Sequence, residues 1–363
     1  MSKIKRYIEC YIPTETCNLR CHYCYITQQK KFTNKIAHFS HSEEEIAQAF
    51  SLERLGGPCL INMCAGGETL LSEEVLPIAR KLINAGHYIS LVTNGTLNVR
   101  FDEIDKWNQK EKSHLFIKFS FHYLEFKRLS FFDRFFRNVK LMKDSGVSFT
   151  VEITPSDELI PFIPEIKEMC DKRLGALCHV TIARDDRTPK IEVLSNYQFD
   201  EYKKIWDSFD SNLFSFKKEI FYQTRKEFCY AGDWSFCVNL ETGIISKCYA
   251  EKRIGNIYDL ENDIKFEAVG CNCSIYHCYN GHSFLSLGII PELKTPTYAE
   301  LRNRVCNDGT EWLQPEMKEV MQTKLSETNK EYSALKKRVI NRANGKKGTT
   351  LKEIKRKFRK AIK

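Results

Sequence analysis

The stretch Cys17-Asn18-Leu19-Arg20-Cys21-His22-Tyr23-Cys24 places three cysteines in eight residues, just after the short apolar run Tyr7 to Ile12. Three thiolates on one short loop can converge on a single metal centre but leave one coordination position unfilled. A closed structural site takes four protein ligands, so the loop suggests a centre at which something else binds. Spacing alone leaves three readings open: an iron–sulfur centre, a zinc site completed by His22 or a distant residue, and a cysteine-rich turn without metal.

The 363-residue chain is 42% apolar and 28% charged, an ordinary globular composition with room for one large α/β domain and a smaller one. No apolar run approaches the ~20 residues of a membrane span. The start MSKIKRYIECYIP lacks a signal-peptide core, so a cytoplasmic protein is expected. Fifteen cysteines in such a protein suggest metal or cluster ligation rather than disulfides. Beyond the first loop, Cys229, Cys237, Cys248, Cys271, Cys273 and Cys278 form a second group. Cys10, Cys59, Cys64, Cys170, Cys178 and Cys306 are scattered, mostly in apolar runs, and read as small buried hydrophobes.

The net charge of +9 is a property of the tail. Residues 336–363 hold thirteen Lys or Arg against Glu353 alone, which leaves residues 1–335 at −3. A body of that charge argues against a general grip on nucleic acid.

From residue 7 to about 210, β-rich runs alternate with helical ones. The strands are Tyr7–Ile12, Leu60–Cys64, His87–Thr93, His114–Phe121, Val147–Thr154 and Leu177–Ala183. Helices are expected from Ser42, where Glu45 completes a capping box, and over Ser72–Ala85, Asp102–Gln109, Phe131–Ser145 and Pro161–Arg173. Six such units imply a parallel sheet, too short to close an eight-fold barrel, with its chemistry at the carboxyl ends of the strands. The cysteine loop follows strand one. Strand two ends in Ala65-Gly66-Gly67-Glu68-Thr69, strand three in Thr93-Asn94-Gly95-Thr96 and strand four in Ser120-Phe121-His122. Singly, each of these is most often just a turn.

Together and in order, the CxxxCxxC loop with Tyr23 before its last cysteine, the Gly66-Gly67-Glu68 turn and the Thr93-Asn94-Gly95 turn resemble the radical S-adenosylmethionine (SAM) superfamily over residues 5 to 210. The resemblance implies that Cys17, Cys21 and Cys24 hold three irons of a [4Fe–4S] cluster whose fourth iron chelates SAM. It places the methionine amino group at Gly66, Gly67 and Glu68, adds Tyr23 and Asn94 to the cofactor site, and puts a ribose contact at Ser120. Strand five would pack the adenine. His122 departs from the acidic residue frequent at its position and receives no role. Reductive cleavage of SAM to a deoxyadenosyl radical, hydrogen abstraction from a substrate, and a reductant such as flavodoxin or ferredoxin follow from the same resemblance.

Residues 229 to 278 read as a separate small module, with a hairpin of Trp234–Leu240 and Gly243–Tyr249 and a turn at Ile254-Gly255-Asn256-Ile257. Cys229-x13-Gly243-x4-Cys248 followed by that turn resembles the SPASM/twitch extension of radical SAM enzymes, which binds auxiliary [4Fe–4S] clusters. The run Cys271-x-Cys273-x4-Cys278 is shorter than the full SPASM pattern and supports one cluster. Its ligands would be Cys229, Cys248, Cys278 and either Cys271 or Cys273. Zinc held by the same thiolates is the alternative. Cys237 reads as core, and His277 and His282 as surface or neighbouring residues rather than ligands.

The implied organisation is a partial (β/α)6 barrel over 1–210, a twitch/SPASM-like domain over 211–294, a helical region over 295–344 and a basic amphipathic tail over 345–363. Thr350 and Glu353 offer a cap for a tail helix that suits an anionic membrane surface or an acidic partner, or is simply a solvated basic end. As a substrate, a small sugar- or cyclitol-like molecule is favoured over a peptide side chain, since no peptide-binding domain precedes residue 5. A non-catalytic Fe–S or zinc protein would have no use for the Gly66-Gly67-Glu68 turn. Arg184, at the end of strand six, reads as an ordinary ion-pairing arginine rather than a contact for an anionic substrate.

Overall fold

The computed structural model describes residues 3–248, 253–271 and 273–344. Six parallel strands pair in chain order: β1 (Arg6–Ile12), β2 (Cys59–Ala65), β3 (Tyr88–Thr93), β4 (Leu115–Phe121), β5 (Ser148–Ile153) and β6 (His179–Val180). Helices occupy the connections, among them Glu43–Ala49, Val75–Asn84, Phe132–Asp144 and Ile163–Leu174. Strand order that never reverses is barrel order, and the sheet is open, as six units require.

Alternate residues of a strand face opposite ways, and here the two faces differ in chemistry. Ile8, Ile61, Leu91, Ile117 and Phe119 pack on the outer face against helix residues such as Leu76, Ile83 and Val139. Each fully buried side chain of this kind contributes roughly 1.5–3 kcal/mol. The inner face begins apolar, with Tyr7, Leu60, Tyr88 and Phe116 under Leu213, Phe284, Tyr298 and Met317 from later in the chain. One pleat further on it turns polar, with Glu9, Asn62, Lys118 and Glu152. Later segments thus plug the amino end of the partial barrel and leave a cavity at its carboxyl end.

Local signals explain the boundaries. Ser42 and Glu45 form the expected capping box. The helix Val75–Asn84 buries Val75, Leu76, Ile78, Ala79, Leu82 and Ile83, one face at helical spacing. It is preceded by a separate 3-10 turn, Thr69–Leu71, so the helix expected from Ser72 starts later. Only His179 and Val180 of the expected sixth strand pair with β5. The chain then forms a two-residue ladder between β7 (Arg184–Asp185) and β8 (Glu192–Val193).

Among the described residues, 229–278 do not build a sheet of their own. β9 (Ser235–Asn239) pairs parallel with β1, and β10 (Ile244–Ser246) and β11 (Arg253–Asn256) continue the same nine-stranded sheet. The expected Ile254–Ile257 turn is therefore largely strand. Gly243 is needed because a Cβ there would lie 2.1 Å from Asn256 Oδ1. The helical region expected over 295–344 consists of the short helices Tyr298–Arg302, Pro315–Gln322 and Leu325–Thr328 and a helical run over 334–344. Thr328 and Asn329 between them donate to the carbonyls of Ile4 and Lys5, which fastens this region to the start of the chain. The basic tail, 345–363, lies outside the described residues.

Candidate active site

The cysteine loop leaves β1 and is held from two sides. Gly67 N–H donates to the Thr14 carbonyl at 2.6 Å and Glu68 N–H to the Thr16 carbonyl at 3.0 Å. These contacts require the two glycines: a Cβ on Gly66 would lie 2.9 Å from the Thr14 oxygen and one on Gly67 1.8 Å from that of Thr16. On the other side, the Asn94 amide donates to Asn18 Oδ1 at 2.7 Å and reaches the Cys17 sulfur at 3.7 Å. Asn18 in turn donates to Thr96 Oγ1.

Glu68 is the buried hinge between these turns. Its carboxylate accepts from Thr93 Oγ1 at 2.6 Å, from Asn94 N–H at 2.8 Å and from Leu70 N–H at 3.0 Å. Burial pushes its pKa up, and those three donors offset only part of the shift. The carboxylate therefore first organises the strand-three turn.

Cys17, Cys21, Cys24, Gly66, Gly67, Glu68, Asn94 and Ser120 line one pocket of about 160 Å³. Tyr23 instead faces the neighbouring cavity, where its hydroxyl bonds His122 Nδ1 at 2.7 Å. Burial lowers the His122 pKa to about 4 and keeps the ring neutral.

That cavity has a volume of about 720 Å³. It shares Cys24, Tyr25, Cys64, Ser120 and His122 with the loop pocket, so the two are continuous. Across its floor, Tyr7 donates to Glu9 at 2.6 Å, Asn62 to Glu9 at 2.6 Å and Ser90 to Asn62 at 2.9 Å. Arg302 pairs with Glu152 and donates to His282 Nε2 at 2.8 Å. His282 thus lines the cavity, while His277 is buried with its Nε2 2.9 Å from the Lys190 carbonyl; neither is a surface residue. Cys237, expected in the core, also faces the cavity. So does Arg184, beside Asn280 and over the Tyr279 ring at 5.3 Å, with Asp186 at 4.0 Å.

The inward residues Glu9, Asn62, Lys118 and Glu152 were not singled out as site residues. Their signal was present in the sequence: polar side chains at alternate positions of otherwise apolar strands, on the face that ends at the mouth.

At the far side of the cavity, Cys229, Cys248, Cys273 and Cys278 surround a small enclosed void of about 30 Å³ with Arg225 and Phe284. Burial raises the Cys229 thiol pKa, and Cys248, Cys278 and Cys273 each raise it further, a sign of their proximity. Cys271 is exposed and turned to the C-terminal run, with its N–H on Asn341 Oδ1 at 2.9 Å. The structure brings Cys273, not Cys271, to the other three. Among the described residues no three Cys, His, Asp or Glu side chains are drawn in to single-ion distance; the thiols stand apart around space. Cys248 and Phe284 line both this void and the large cavity.

An open barrel of six parallel strands with three thiols over its mouth is the architecture of a radical SAM domain. Residues 11–156 match the family model for the Radical SAM superfamily, and the chain carries such a domain. No curated protein matches the chain. Among solved structures, Streptococcus suis SuiB bound to S-adenosylmethionine is similar at 14% identity, covering 73% of this chain and 66% of that one, with a TM-score of 0.50. A second structure of Streptococcus suis SuiB gives the same values. Native anSMEcpe with bound AdoMet is 18% identical, covering 72% of this chain and 80% of that one, with a TM-score of 0.49. The similarity to SuiB is one of fold, and the match spans slightly under two thirds of that protein's length.

Radical SAM domains use a [4Fe–4S] cluster and SAM, and the loop pocket fits them. Its donor set is three thiols from one loop, and the glycine turn beside it has no room for side chains on its loop-facing side.

Proposed function

We propose that the protein is a radical SAM enzyme acting on a small polar molecule, with one auxiliary cluster across the substrate cavity. One observation carries this reading: the three-cysteine pocket opens directly into a cavity lined by Glu9, Asn62, Lys118 and Glu152, whose volume lies in the usual range for small-molecule sites. A pure electron carrier has no need of such a chamber.

Cys17, Cys21 and Cys24 would hold the cluster, Gly66, Gly67 and Glu68 the methionine end of SAM, and Ser120 its ribose. When bound, the cluster and SAM supply a radical able to take a hydrogen atom from an unactivated position. Asn94 and the Thr14–Thr16 backbone fix the loop that presents the thiols. The plugged floor of the barrel closes the cavity at its amino end. Neutral His122 orients Tyr23 at the boundary between cofactor pocket and substrate space. Cys229, Cys248, Cys273 and Cys278 would hold the auxiliary cluster, and their shared wall at Cys248 suits a group that accepts an electron from the substrate or anchors it. A reductant of the flavodoxin or ferredoxin kind would supply the first electron.

The test is anaerobic reconstitution and reduction. Deoxyadenosine should form from SAM, and Cys17→Ala should abolish it. No SAM cleavage under these conditions refutes the reading. Deuterium transfer into deoxyadenosine from labelled extract fractions then separates a small molecule from a peptide.

A further inference from the structure

Four cations line the large cavity, Lys118, Arg184, Lys217 and Arg302, against the three carboxylates Glu9, Glu152 and Asp186. Most of these charges have partners. Arg302 is taken by Glu152 and His282, and Glu9 by Tyr7 and Asn62. Arg184 has Asn280 and, at 4.0 Å, Asp186. Lys217 donates to Thr181 Oγ1 at 2.7 Å. Lys118 is different: 9% exposed, on the inward face of β4, its side chain makes no hydrogen bond or ion pair with any described residue. Its ammonium opens onto the cavity, so this charge, which the fold leaves without a partner among the described residues, is available to a ligand there.

We propose that the cavity takes a substrate bearing an anionic group, a carboxylate or a phosphate, and that Lys118 is the residue that pairs with it. The inference rests on the reading of this cavity as the substrate chamber of a radical SAM enzyme.

Position separates this group from the carboxylate of SAM. Ser120, two residues along the same face of β4, lines both the loop pocket and the cavity; Lys118 lines the cavity alone, one pleat further from the cysteines. The surroundings agree. Burial pushes the Glu152 carboxyl up, yet Arg302, Lys118 and Lys217 together hold it below the ordinary range, so the three cations gather round one carboxylate. Glu152 is already paired with Arg302, which leaves positive potential unanswered on the Lys118 and Lys217 side. A bound anion there would also draw Lys217 towards its charged form, since burial and its cationic neighbours now lower its pKa to about 7.

The test uses the reconstituted full chain with two probes, sodium acetate and inorganic phosphate, at constant ionic strength. Binding is read as a rise in melting temperature. At least one probe should raise it by a few degrees in the wild type, and the probe that does so names the group as carboxylate or phosphate. Lys118→Gln should require about tenfold or more of the anion for the same rise, and Lys118→Arg should retain it. Because the basic tail also attracts anions, the difference between variants is the readout. The Lys118 side chain makes no hydrogen bond or ion pair with any described residue, so Lys118→Gln should fold; circular dichroism checks this, and Lys118→Met is the second variant. Equal rises in wild type and Lys118→Gln, or none with either probe, overturn the proposal. So does a Lys118→Gln chain that loses SAM binding instead. None of these readouts requires SAM cleavage, so a failure here is distinct from a failure of the radical SAM reading.

Discussion

The Thr16 carbonyl oxygen lies 1.8 Å from the position a Cβ on Gly67 would occupy. Thr16 immediately precedes Cys17, so Gly67→Ala must push the cysteine loop away from β2. Overpacking of this kind costs about 1–3 kcal/mol, and here the clash is with backbone, which cannot rotate aside. The expected outcome is a lower melting temperature together with poor iron loading of the N-terminal site. Normal iron content in a folded Gly67→Ala protein would refute the tight approach.

Cys273→Ala and Cys271→Ala should behave differently although only one residue separates them. With two cubane clusters the chain holds about eight irons, and Cys273→Ala should lower that towards about four. Cys271→Ala should leave it unchanged, because Cys271 faces Asn341 rather than the void. Iron and sulfide analysis of both proteins decides the matter.

His87 makes stability depend on acid. Its Nδ1 accepts from Cys59 N–H at 3.1 Å, Nε2 bonds the Phe50 carbonyl at 2.7 Å, and burial lowers its pKa to about 4. The unfolded chain titrates near 6.5, so between those values the unfolded state binds more protons than the folded one. Stability contributed by neutral His87 is full above pH ~6.5 and falls as pH drops towards ~4, by up to about 3 kcal/mol. Melting temperatures of wild type and His87→Gln across that window should show a shallower slope in the variant; equal slopes count against it.

Arg302→Met should be strongly destabilising. The arginine is fully buried and paired with Glu152, a half-buried carboxylate that lines the cavity, so its loss leaves that carboxylate uncompensated at a cost of up to about 3 kcal/mol. Arg302→Met with Glu152→Gln should recover part of that loss in urea unfolding. A double variant no better than the single would show that the arginine acts through packing on Tyr298 instead.

Much of this molecule was legible from the residues. The Ser42–Glu45 capping box, the positions of the first five strands and the convergence of Cys17, Gly67 and Asn94 all rest on local spacing and on strand-end position, which sequence carries well. Three things did not. Cys271 and Cys273 are equivalent by spacing, and only the docking of Asn341, seventy residues on, turns one away. The pairing of β9 with β1 joins residues more than two hundred positions apart, and nothing local encodes it. Strand alternation places Lys118 on the inward face, but that it is left without a partner depends on which groups Glu152 and Glu9 have already taken.

The parallel pairing of β9 with β1 runs from Tyr7 opposite Ser235 to Tyr11 opposite Asn239. The strand that leads into the cysteine loop is therefore interior to the sheet, not an edge. As the chain leaves the ribosome, that strand can pair with β2 early, but its other side stays open until β9 has been made. Through that interval the nascent protein carries a bare strand edge, the usual starting point for misassembly. A strand almost two thirds of the way along the chain thus finishes the hydrogen bonding of its first strand, and truncating the protein at the end of its barrel would make that exposed edge permanent.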